Sequence, residues 1–265
     1  MDPNSKINES RNMELKPVVL LVDDNEEILE FLSSDLNETY TILTACNGID
    51  AQTIIAAKIV HLIVSDVMMP VVDGFELCRN IKSNILTSHI PVILLTAKNT
   101  LQSKIEGLAL GADAYIDKPF SPEHLQVQIA NLLANRIKIK EYFANSPLVH
   151  IKSMAYSKAD EHFLEELNEL IHQHMQDPEL DVEQLAKYLN MSRPTLYRKI
   201  KSISDLTPAE LVNITRLKKA AILLAEGKYN INEVAQLSGY TSTTHFGRNF
   251  LKQFGVTASE YLKEK

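Results

Sequence analysis

The stretch HLIVSDVMMPVVDG, residues 61–74, predicts a buried strand that ends in an acidic loop. Residues 62–64 form a short apolar run, which is typical of a strand covered on both faces of a parallel sheet. Pro70 and Gly74 then break the pattern. Asp66 therefore stands at the carboxyl end of a parallel strand, where open α/β sheets place their functional groups. Taken alone, Asp66 is equally compatible with a cap on the following loop.

The chain around this stretch alternates apolar runs with segments of helical periodicity. Strands are predicted at residues 17–22, 40–45, 62–66, 91–95 and 111–116, and helices at 26–36, 48–58, 74–81, through Ile105, Leu108 and Leu110, and at 122–135. This alternation predicts a parallel sheet with right-handed crossovers and helices on both faces. Because the carboxyl ends of such strands meet at one edge, we expect five side chains to converge there: Asp23, Asp24, Asp66, Thr96 and Lys118.

The residue types at this edge indicate phosphoryl chemistry. Clustered carboxylates repel one another, and a hard divalent cation such as Mg²⁺ with retained waters stabilises them in the ionised form. A lysine can bind a phosphoryl oxygen and a threonine hydroxyl can donate to one. These groups would let a carboxylate attack phosphorus and form an acyl phosphate.

Composition divides the chain into an acidic and a basic part. Residues 17–135 contain 15 acidic and 6 basic side chains, whereas residues 182–258 contain 11 basic and 5 acidic ones. The basic part suggests a polyanionic partner. The 265 residues suggest two domains, and two cysteines without a secretory leader favour a reducing, cytoplasmic setting. No apolar run approaches the roughly 18 residues of a membrane span, so no membrane contact is expected of this chain itself.

The basic part contains two helix-turn-helix patterns. In the first, a short helix through Val182 and Leu185 is followed by a turn and by a second helix capped by Ser192. The second occupies INEVAQLSGYTSTTHFGRNFLKQFG, residues 231–255, and a helix through Ile214 and Leu224 joins the two. We therefore predict a disordered lead-in at 1–16, a domain at 17–135, a linker at 136–159 and an all-α domain at 160–265. The linker range begins with an extension of the last helix of the first domain.

The motifs VDDNEE, SDVMMPVVDG, TA and DKPF, in this order and spacing, resemble a response-regulator receiver domain. The resemblance covers about residues 17–135 and implies a flavodoxin-like five-stranded parallel sheet in the order 2-1-3-4-5. It implies that Asp66 is the phosphoacceptor and that Thr96 and Lys118 bind the phosphoryl group. It also implies a Mg²⁺ site formed by Asp23, Asp24, Asp66 and the backbone carbonyl of Met68. A cis Lys118–Pro119 bond and a switch pair, Thr96 and Tyr115, are implied as well.

Residues 160–265, with the closing signature GYTSTTHFGRNFLKQFGVTASEY, resemble an AraC-type DNA-binding domain. The resemblance implies two recognition helices in successive major grooves of double-stranded DNA. The candidate DNA-contacting residues are Arg193, Thr195, Tyr197, Arg198 and Lys201 in the first helix and Thr243, Thr244, Arg248 and Lys252 in the second. Pro194 and Gly247 also approach bases by family position but offer little hydrogen bonding. Leu251 stands where the family often has a basic residue.

The order of the two domains resembles the C-terminal end of hybrid two-component sensors from Bacteroides-type bacteria. This implies a histidine kinase partner, separate or fused upstream at an inner membrane, and a homodimer on activation. The leading hypothesis is a phosphorylation-controlled transcription regulator and not an enzyme. One alternative is an aspartate-nucleophile, Mg²⁺-dependent phosphohydrolase, which needs a carboxylate two residues after the nucleophile, where this chain has Met68. Another is a constitutive DNA binder with an inactive receiver.

Overall fold

The computed structural model describes residues 16–97, 109–177 and 180–263, and it divides into two compact units. Within the described residues, the first unit comprises the chain up to Ile81 together with Ile90–Leu133. The second unit comprises Lys82–His89 and the chain from Ala134 onward. The predicted helix through Ile105 and Leu108 lies outside the described residues. None of the described helices is both long and apolar enough to span a membrane.

The first unit is built on a parallel sheet whose order, β2-β1-β3-β4-β5, confirms the predicted topology. Neighbouring strands pair in parallel throughout. Its elements are β1 (Val18–Val22), α1 (Glu26–Leu36), β2 (Thr41–Ala45), α2 (Gly48–Ala57), β3 (Leu62–Asp66), α3 (Gly74–Ser83) except its last two residues, β4 (Val92–Thr96), β5 (Ala114–Asp117) and the first part of α4 (Pro122–Asn145). Strand β5 begins three residues later and ends one residue later than predicted, and α4 continues ten residues past its predicted end, to Asn145.

The central strands are buried on both faces, as their apolar runs predict. Every residue of β3 and β4 is buried. Ile63 packs into one hydrophobic cluster, with side chains of α2 and α3. Leu62 and Val64 pack into the cluster on the opposite face, with side chains of α1 and α4. Because successive side chains of a strand point to opposite faces, a continuous apolar run fills both layers.

The second unit is helical. Its elements are the rest of α4, a 3-10 turn (Ile151–Met154), α5 (Lys158–Gln173), α6 (Val182–Tyr188), α7 (Arg193–Ser204), α8 (Pro208–Glu226), α9 (Ile231–Leu237), α10 (Thr243–Phe254) and α11 (Ala258–Lys263). Two hydrophobic clusters meet along α8. Leu211 and Ile214 belong to the cluster of α5, α6 and α7, whereas Leu217 and Leu224 belong to the cluster of α9 and α10. Helix α8 therefore fixes one helix-turn-helix relative to the other.

The range 136–159, predicted to be a linker, contributes to the core of the second unit. Helix α4 extends through it to Asn145, as predicted, but Phe143, Ile151 and Met154 are almost completely buried. They pack in the same cluster as α5 and α7. The apolar spacing of Ile139 and Phe143 continues a helical stripe, and the interleaved basic residues obscure it. The proposed domain boundaries themselves stay predictions.

Gly74 allows the first turn of α3 to approach the end of β3 closely. A Cβ atom at this position would lie 2.1 Å from the backbone oxygen of Asp66 and 2.9 Å from the Cα of Val67. The Gly74 amide donates a hydrogen bond to the Val67 carbonyl at 3.1 Å. Since both obstructing atoms belong to the backbone, no side-chain rotation can relieve the clash.

We predict that Gly74→Ala lowers the free energy of unfolding of the first unit by about 1–3 kcal/mol, the usual cost of overpacking. Hydrogen exchange of β1, β3 and β4 amides measures this loss segment by segment. The control is Gly247→Ala in α10, where an added Cβ meets no atom within 4 Å. That variant should keep the second unit as stable or raise its stability by up to about 1 kcal/mol. Unchanged exchange in β3 of Gly74→Ala would contradict the prediction.

Candidate functional sites

The carboxyl edge of the sheet brings Asp66, Asp23 and Lys118 into one ionic cluster. Asp66 ends β3, Asp23 follows β1 and Lys118 follows β5. The Lys118 ammonium lies 2.7 Å from Asp66 Oδ1 and 3.0 Å from Asp23 Oδ2. Both carboxylates are buried, and the lysine side chain is about one-fifth exposed, at 22%. Side chains 43 to 95 residues apart in sequence therefore form one site because parallel strands end at the same edge.

Short turns after the strands fix the orientation of both carboxylates. Asp66 Oδ2 accepts a hydrogen bond from the Met68 amide, and Asp23 Oδ1 accepts one from the Asn25 amide, each at 2.9 Å. Aspartate commonly bonds the backbone two residues further along the chain in this way. Each carboxylate thus directs one oxygen to the backbone and the other to Lys118.

Lys118 remains protonated within this cluster. Partial burial alone would lower the pKa of Lys118, but the hydrogen bonds from its ammonium to Asp66 and Asp23 and their negative charges outweigh burial. The pKa of Lys118 is consequently raised above its usual value.

The other predicted members of the site lie at or beside strands β1, β3, β4 and β5. Thr96 ends β4, is fully buried, and its carbonyl accepts a hydrogen bond from the Lys118 amide at 2.7 Å. Asp24 is exposed, and the Met68 side chain is 57% exposed. The Lys118–Pro119 bond is cis, which confirms that prediction. Tyr115 is half-buried, and its phenol oxygen is shielded from solvent without a hydrogen-bond partner among the described residues.

The cluster offers oxygen ligands of the kind that Mg²⁺ prefers. Two carboxyl groups share one ammonium, so acidic side chains outnumber basic ones in the cluster, and exposed Asp24 follows Asp23 in the chain. A hard cation that retains several waters needs only one or two carboxylates. Within the described residues, no three His, Cys, Asp or Glu side chains form a metal-binding group. The two buried carboxylates therefore meet the ligand requirement of a hydrated Mg²⁺ ion.

The first helix-turn-helix consists of α6 and α7. Asn190 turns the chain with a positive φ of 52°, and the Ser192 side chain caps α7 by accepting from the Thr195 amide. Four of the five candidate DNA-contacting side chains on α7 are exposed: Arg193, Tyr197, Arg198 and Lys201. The fifth, Thr195, is half-buried and shares a 2.7 Å hydrogen bond with the Ser192 hydroxyl. Its hydroxyl is therefore engaged in the cap.

The second helix-turn-helix, α9 and α10, repeats this arrangement. Gly239 turns the chain with a φ of 80°, and a Cβ there would lie 2.0 Å from the Met175 backbone oxygen. The Ser242 side chain caps α10. The candidate side chains on α10 are all exposed: Thr243, Thr244, Arg248 and Lys252. Thr243 also donates a hydrogen bond to Asn232 at 2.9 Å.

Lys199 is a buried residue that the sequence analysis did not assign to any site. It follows the exposed residues Tyr197 and Arg198 on α7, but its own side chain has no exposed area. The signal that identifies it is its spacing, because Lys199 lies three residues after Leu196 and four before Ile203, both on the buried face. Its partner, Asp160 of α5, is also completely buried.

Two protein families match the chain. Residues 19–130 match the response regulator receiver domain family, and residues 185–264 match a helix-turn-helix domain family. The first range contains the ionic cluster at the sheet edge. The second contains α7 and α10 with their exposed basic side chains.

Individual proteins are similar to parts of the chain. Histidine kinase P4 of Formosa agariphila is 38% identical over 93% of this chain and 18% of its own length. The probable transcriptional regulator ycf27 of Cyanidium caldarium is 40% identical over 47% of this chain and 51% of its own length. A solved structure, response regulator DrrB of Thermotoga maritima, is 33% identical, with a TM-score of 0.42 over 45% of this chain and 54% of that one.

The chain thus spans less than a fifth of the Formosa agariphila kinase and about half of the Cyanidium caldarium regulator. The match to the kinase runs through both units, whereas the match to ycf27 is limited to about half of the chain. Each of the two ranges that match a family contains one of the two sites described above. The chain therefore combines a response regulator receiver domain with an AraC-type helix-turn-helix domain.

Proposed function

We propose that the chain is a two-component response regulator that accepts a phosphoryl group on Asp66 and binds specific DNA sequences through α7 and α10. The observation that carries the first part is the Lys118 ammonium, 2.7 Å from Asp66 Oδ1 and 3.0 Å from Asp23 Oδ2. The second part rests on two capped helices that present exposed arginine and lysine side chains. The receiver domain implies a histidine kinase partner, and the helix-turn-helix domain implies DNA binding.

Asp66 is suited to act as the nucleophile in this proposal. An ionised carboxylate oxygen of Asp66 attacks the phosphorus atom, the bond from phosphorus to the donor breaks, and the donor leaves with that electron pair. The hydrogen bond from the Met68 amide holds one oxygen of Asp66 in place. Lys118, kept protonated by its two carboxylate partners, stabilises negative charge on the phosphoryl oxygens. Thr96 is proposed to donate its hydroxyl to one of them.

Mg²⁺ is the proposed cofactor, held by Asp23, Asp24, Asp66 and the Met68 carbonyl. When bound, it supplies charge neutralisation to the transferring phosphoryl group. Asp23 is buried and hydrogen-bonded to the Asn25 amide, so it provides a rigid ligand. Asp24 is exposed and supplies a further negative charge.

The phosphorylated form is expected to persist, which suits a regulator better than an enzyme. Hydrolysis of an acyl phosphate is faster when a carboxylate two residues after the nucleophile acts as general acid and base. Here that position is Met68, an uncharged side chain that is 57% exposed. The phosphohydrolase alternative therefore lacks its second catalytic group.

For the DNA interface we propose a division between base readers and phosphate contacts. Arg198 and Arg248 occupy similar positions in the two recognition helices and are exposed. Arginine forms paired hydrogen bonds with guanine, whereas lysine mostly contacts phosphates as a point charge. Lys201 and Lys252, one turn further along their helices, are therefore assigned to phosphates. The Arg193 guanidinium lies 3.4 Å from the Glu183 carboxylate, and this ion pair makes Arg193 less available for a phosphate contact.

The coupling between the two domains is proposed to act through Tyr115 and dimer formation. A phosphoryl group on Asp66 would give Thr96 a new partner and draw it inward, leaving room for the Tyr115 ring. The Tyr115 hydroxyl is shielded and unpaired among the described residues, which is a costly arrangement for a phenol. A change of its rotamer would alter the surface next to β5, where receivers of this kind dimerise.

We predict that Asp66 gains one phosphoryl group from a small acyl-phosphate donor in the presence of Mg²⁺. Intact mass spectrometry measures the gain, and Asp66→Asn should abolish it. Glu76→Gln, which neutralises an exposed carboxylate on α3, is the matched control and should be phosphorylated normally. Lys118→Ala should keep the fold and lose the phosphoryl group faster. A mass gain in Asp66→Asn would disprove the assignment.

We predict that Arg198→Ala and Arg248→Ala each cost about 1–3 kcal/mol on a selected DNA site, since each removes a base contact. Lys201→Ala and Lys252→Ala should instead weaken binding to all sequences alike and reduce its salt dependence. Fluorescence anisotropy at several salt concentrations, with selected and scrambled duplexes, separates the two effects. Equal losses on both duplexes for Arg198→Ala would exclude a base-reading role.

We predict that beryllofluoride with Mg²⁺ shifts the chain from monomer toward dimer in sedimentation velocity. Two linked DNA-binding domains gain effective concentration, so affinity for paired half-sites should rise 10²–10⁴-fold while a single half-site gains little. Tyr115→Ala should reduce both effects, whereas Tyr142→Ala, at an exposed position of α4, should leave them unchanged. An unchanged sedimentation profile together with unchanged affinity for paired sites would refute the mechanism.

A further inference from the structure

A buried polar network joins three separate parts of the second unit. It consists of Ser88 from the segment Lys82–His89, Asp160 from α5 and Lys199 from α7. The Lys199 ammonium donates to Asp160 Oδ1 at 2.6 Å and to Ser88 Oγ at 3.0 Å. The Ser88 hydroxyl donates to the same Asp160 oxygen at 2.7 Å. All three residues are at most 1% exposed to solvent.

Asp160 is the centre of this network. Its Oδ2 accepts a hydrogen bond from the Tyr156 amide at 3.3 Å. Burial by itself would raise the pKa of Asp160, but the charge and the hydrogen bond of Lys199 outweigh it and lower the pKa. Burial lowers the pKa of Lys199, while the charge and hydrogen bond of Asp160 oppose that change. The 2.6 Å separation of the ammonium from Asp160 Oδ1 is typical of a charge-assisted hydrogen bond. Removing either charged partner would leave the other buried and unpaired, which is strongly destabilising.

The segment Lys82–His89 is held next to the network by further contacts. Arg136 of α4 donates a hydrogen bond to the His89 carbonyl, and its guanidinium lies 3.8 Å from the centre of the Tyr156 ring. The Tyr156 hydroxyl in turn donates to the Arg136 carbonyl at 3.1 Å. Burial and the charge of Lys199 lower the pKa of His89 to about 3, so its ring is neutral and adds no competing positive charge. Ser88 is thus anchored beside Lys199.

The network determines how α7 is rotated about its own axis. Lys199 directly follows Tyr197 and Arg198, both exposed candidates for DNA contact. Successive residues of an α-helix are separated by about 100° around the axis. If α7 turned by one residue position, Lys199 would leave Asp160 and Ser88, and Arg198 would turn toward the buried side. Only one rotation satisfies the buried charges and keeps both candidate side chains exposed.

We propose that Ser88, Asp160 and Lys199 are positioning residues for sequence-specific DNA binding, which hold α7 at the one rotation that presents its base-reading side chains. This inference rests on the proposed DNA-binding function. Ser88 lies within residues 19–130, the range that matches the receiver family, and outside 185–264. DNA specificity therefore depends on a residue that the helix-turn-helix domain does not contain.

A positioning role differs from a contribution to stability. Replacing a buried ion pair by neutral groups of similar size is often neutral for stability, whereas polar pairs can select one arrangement among several. We therefore expect the variants to lose specificity, measured as the ratio of the affinity for selected DNA to the affinity for scrambled DNA. The affinity for scrambled DNA depends on exposed charges and should stay constant.

The test uses the full chain and a duplex that the unmodified chain selects from a randomised library, with a scrambled duplex for comparison. Ser88→Ala should lower the affinity for the selected duplex on the order of tenfold, the effect of losing one hydrogen bond to a charged group. Binding to the scrambled duplex should not change. The matched control is Thr215→Val, which removes another buried hydroxyl of the second unit, bonded only to its own helix at the Leu211 carbonyl. An equal loss in this control would overturn the proposal.

A neutral background tests whether Ser88 acts through the charged pair. Asp160→Asn with Lys199→Met should remain folded, because neither variant side chain is left charged, and should lose a similar part of its specificity. Ser88→Ala in this background should then add no further loss. Losses that add up in free energy would show that Ser88 acts independently of Lys199 and would overturn the proposal.

Hydrogen exchange measures the positioning without DNA. Amides of α7 should exchange faster in Ser88→Ala and in the neutral background, while those of α10 should not change. Identical exchange of α7 in all forms would overturn the proposal. A full chain that selects no DNA sequence would contradict the proposed function, and the exchange of α7 would then decide the positioning role by itself.

Discussion

One ammonium group between two buried carboxylates organises the first unit. Lys118 binds Asp66 and Asp23, and through them it connects the ends of β5, β3 and β1 at one edge of the sheet. Three charged side chains in a largely buried place are tolerated because each has a partner of opposite charge or a backbone amide. Because two carboxyl groups share one ammonium, the cluster has more acidic than basic side chains. A group that brings positive charge to this edge is therefore favoured, which agrees with the cation proposed for the site.

The second unit depends on a comparable buried pair, but with a different consequence. Lys199 and Asp160 are completely enclosed, and Ser88 completes their hydrogen bonds from a distant part of the chain. At the sheet edge the charges remain partly accessible and can take part in chemistry. In the helical unit the charged groups are completely buried, so we assign them a role in positioning a helix. The first arrangement is the one to which we assign a reaction, and the second is the one to which we assign the positioning of α7.

The sequence was sufficient for the topology and for the three members of the ionic cluster, Asp23, Asp66 and Lys118. Continuous apolar runs identified β3 and β4, and the acidic and basic residues directly after the strands identified the members of the cluster, because strand ends converge whatever the details of packing. The sequence was not sufficient to identify a charged residue that is buried by partners far away in the chain. Lys199 belongs to a basic stretch that suggests a solvated face, and Ser88 is one serine among many. The apolar members of 136–159 were likewise masked by alternating basic residues, since local composition does not reveal which surface a helix will meet.

The two helix-turn-helix turns differ in how much sequence change they allow. Both place a residue with positive φ between their helices, Asn190 in one and Gly239 in the other. Asn190 already carries a side chain in that conformation and is exposed, so glycine or aspartate would serve there with little strain. At Gly239 any side chain would collide with the Met175 backbone oxygen. The first turn therefore tolerates substitutions at residue 190, whereas the second requires glycine at residue 239. A mutant library designed to change DNA specificity should therefore keep Gly239.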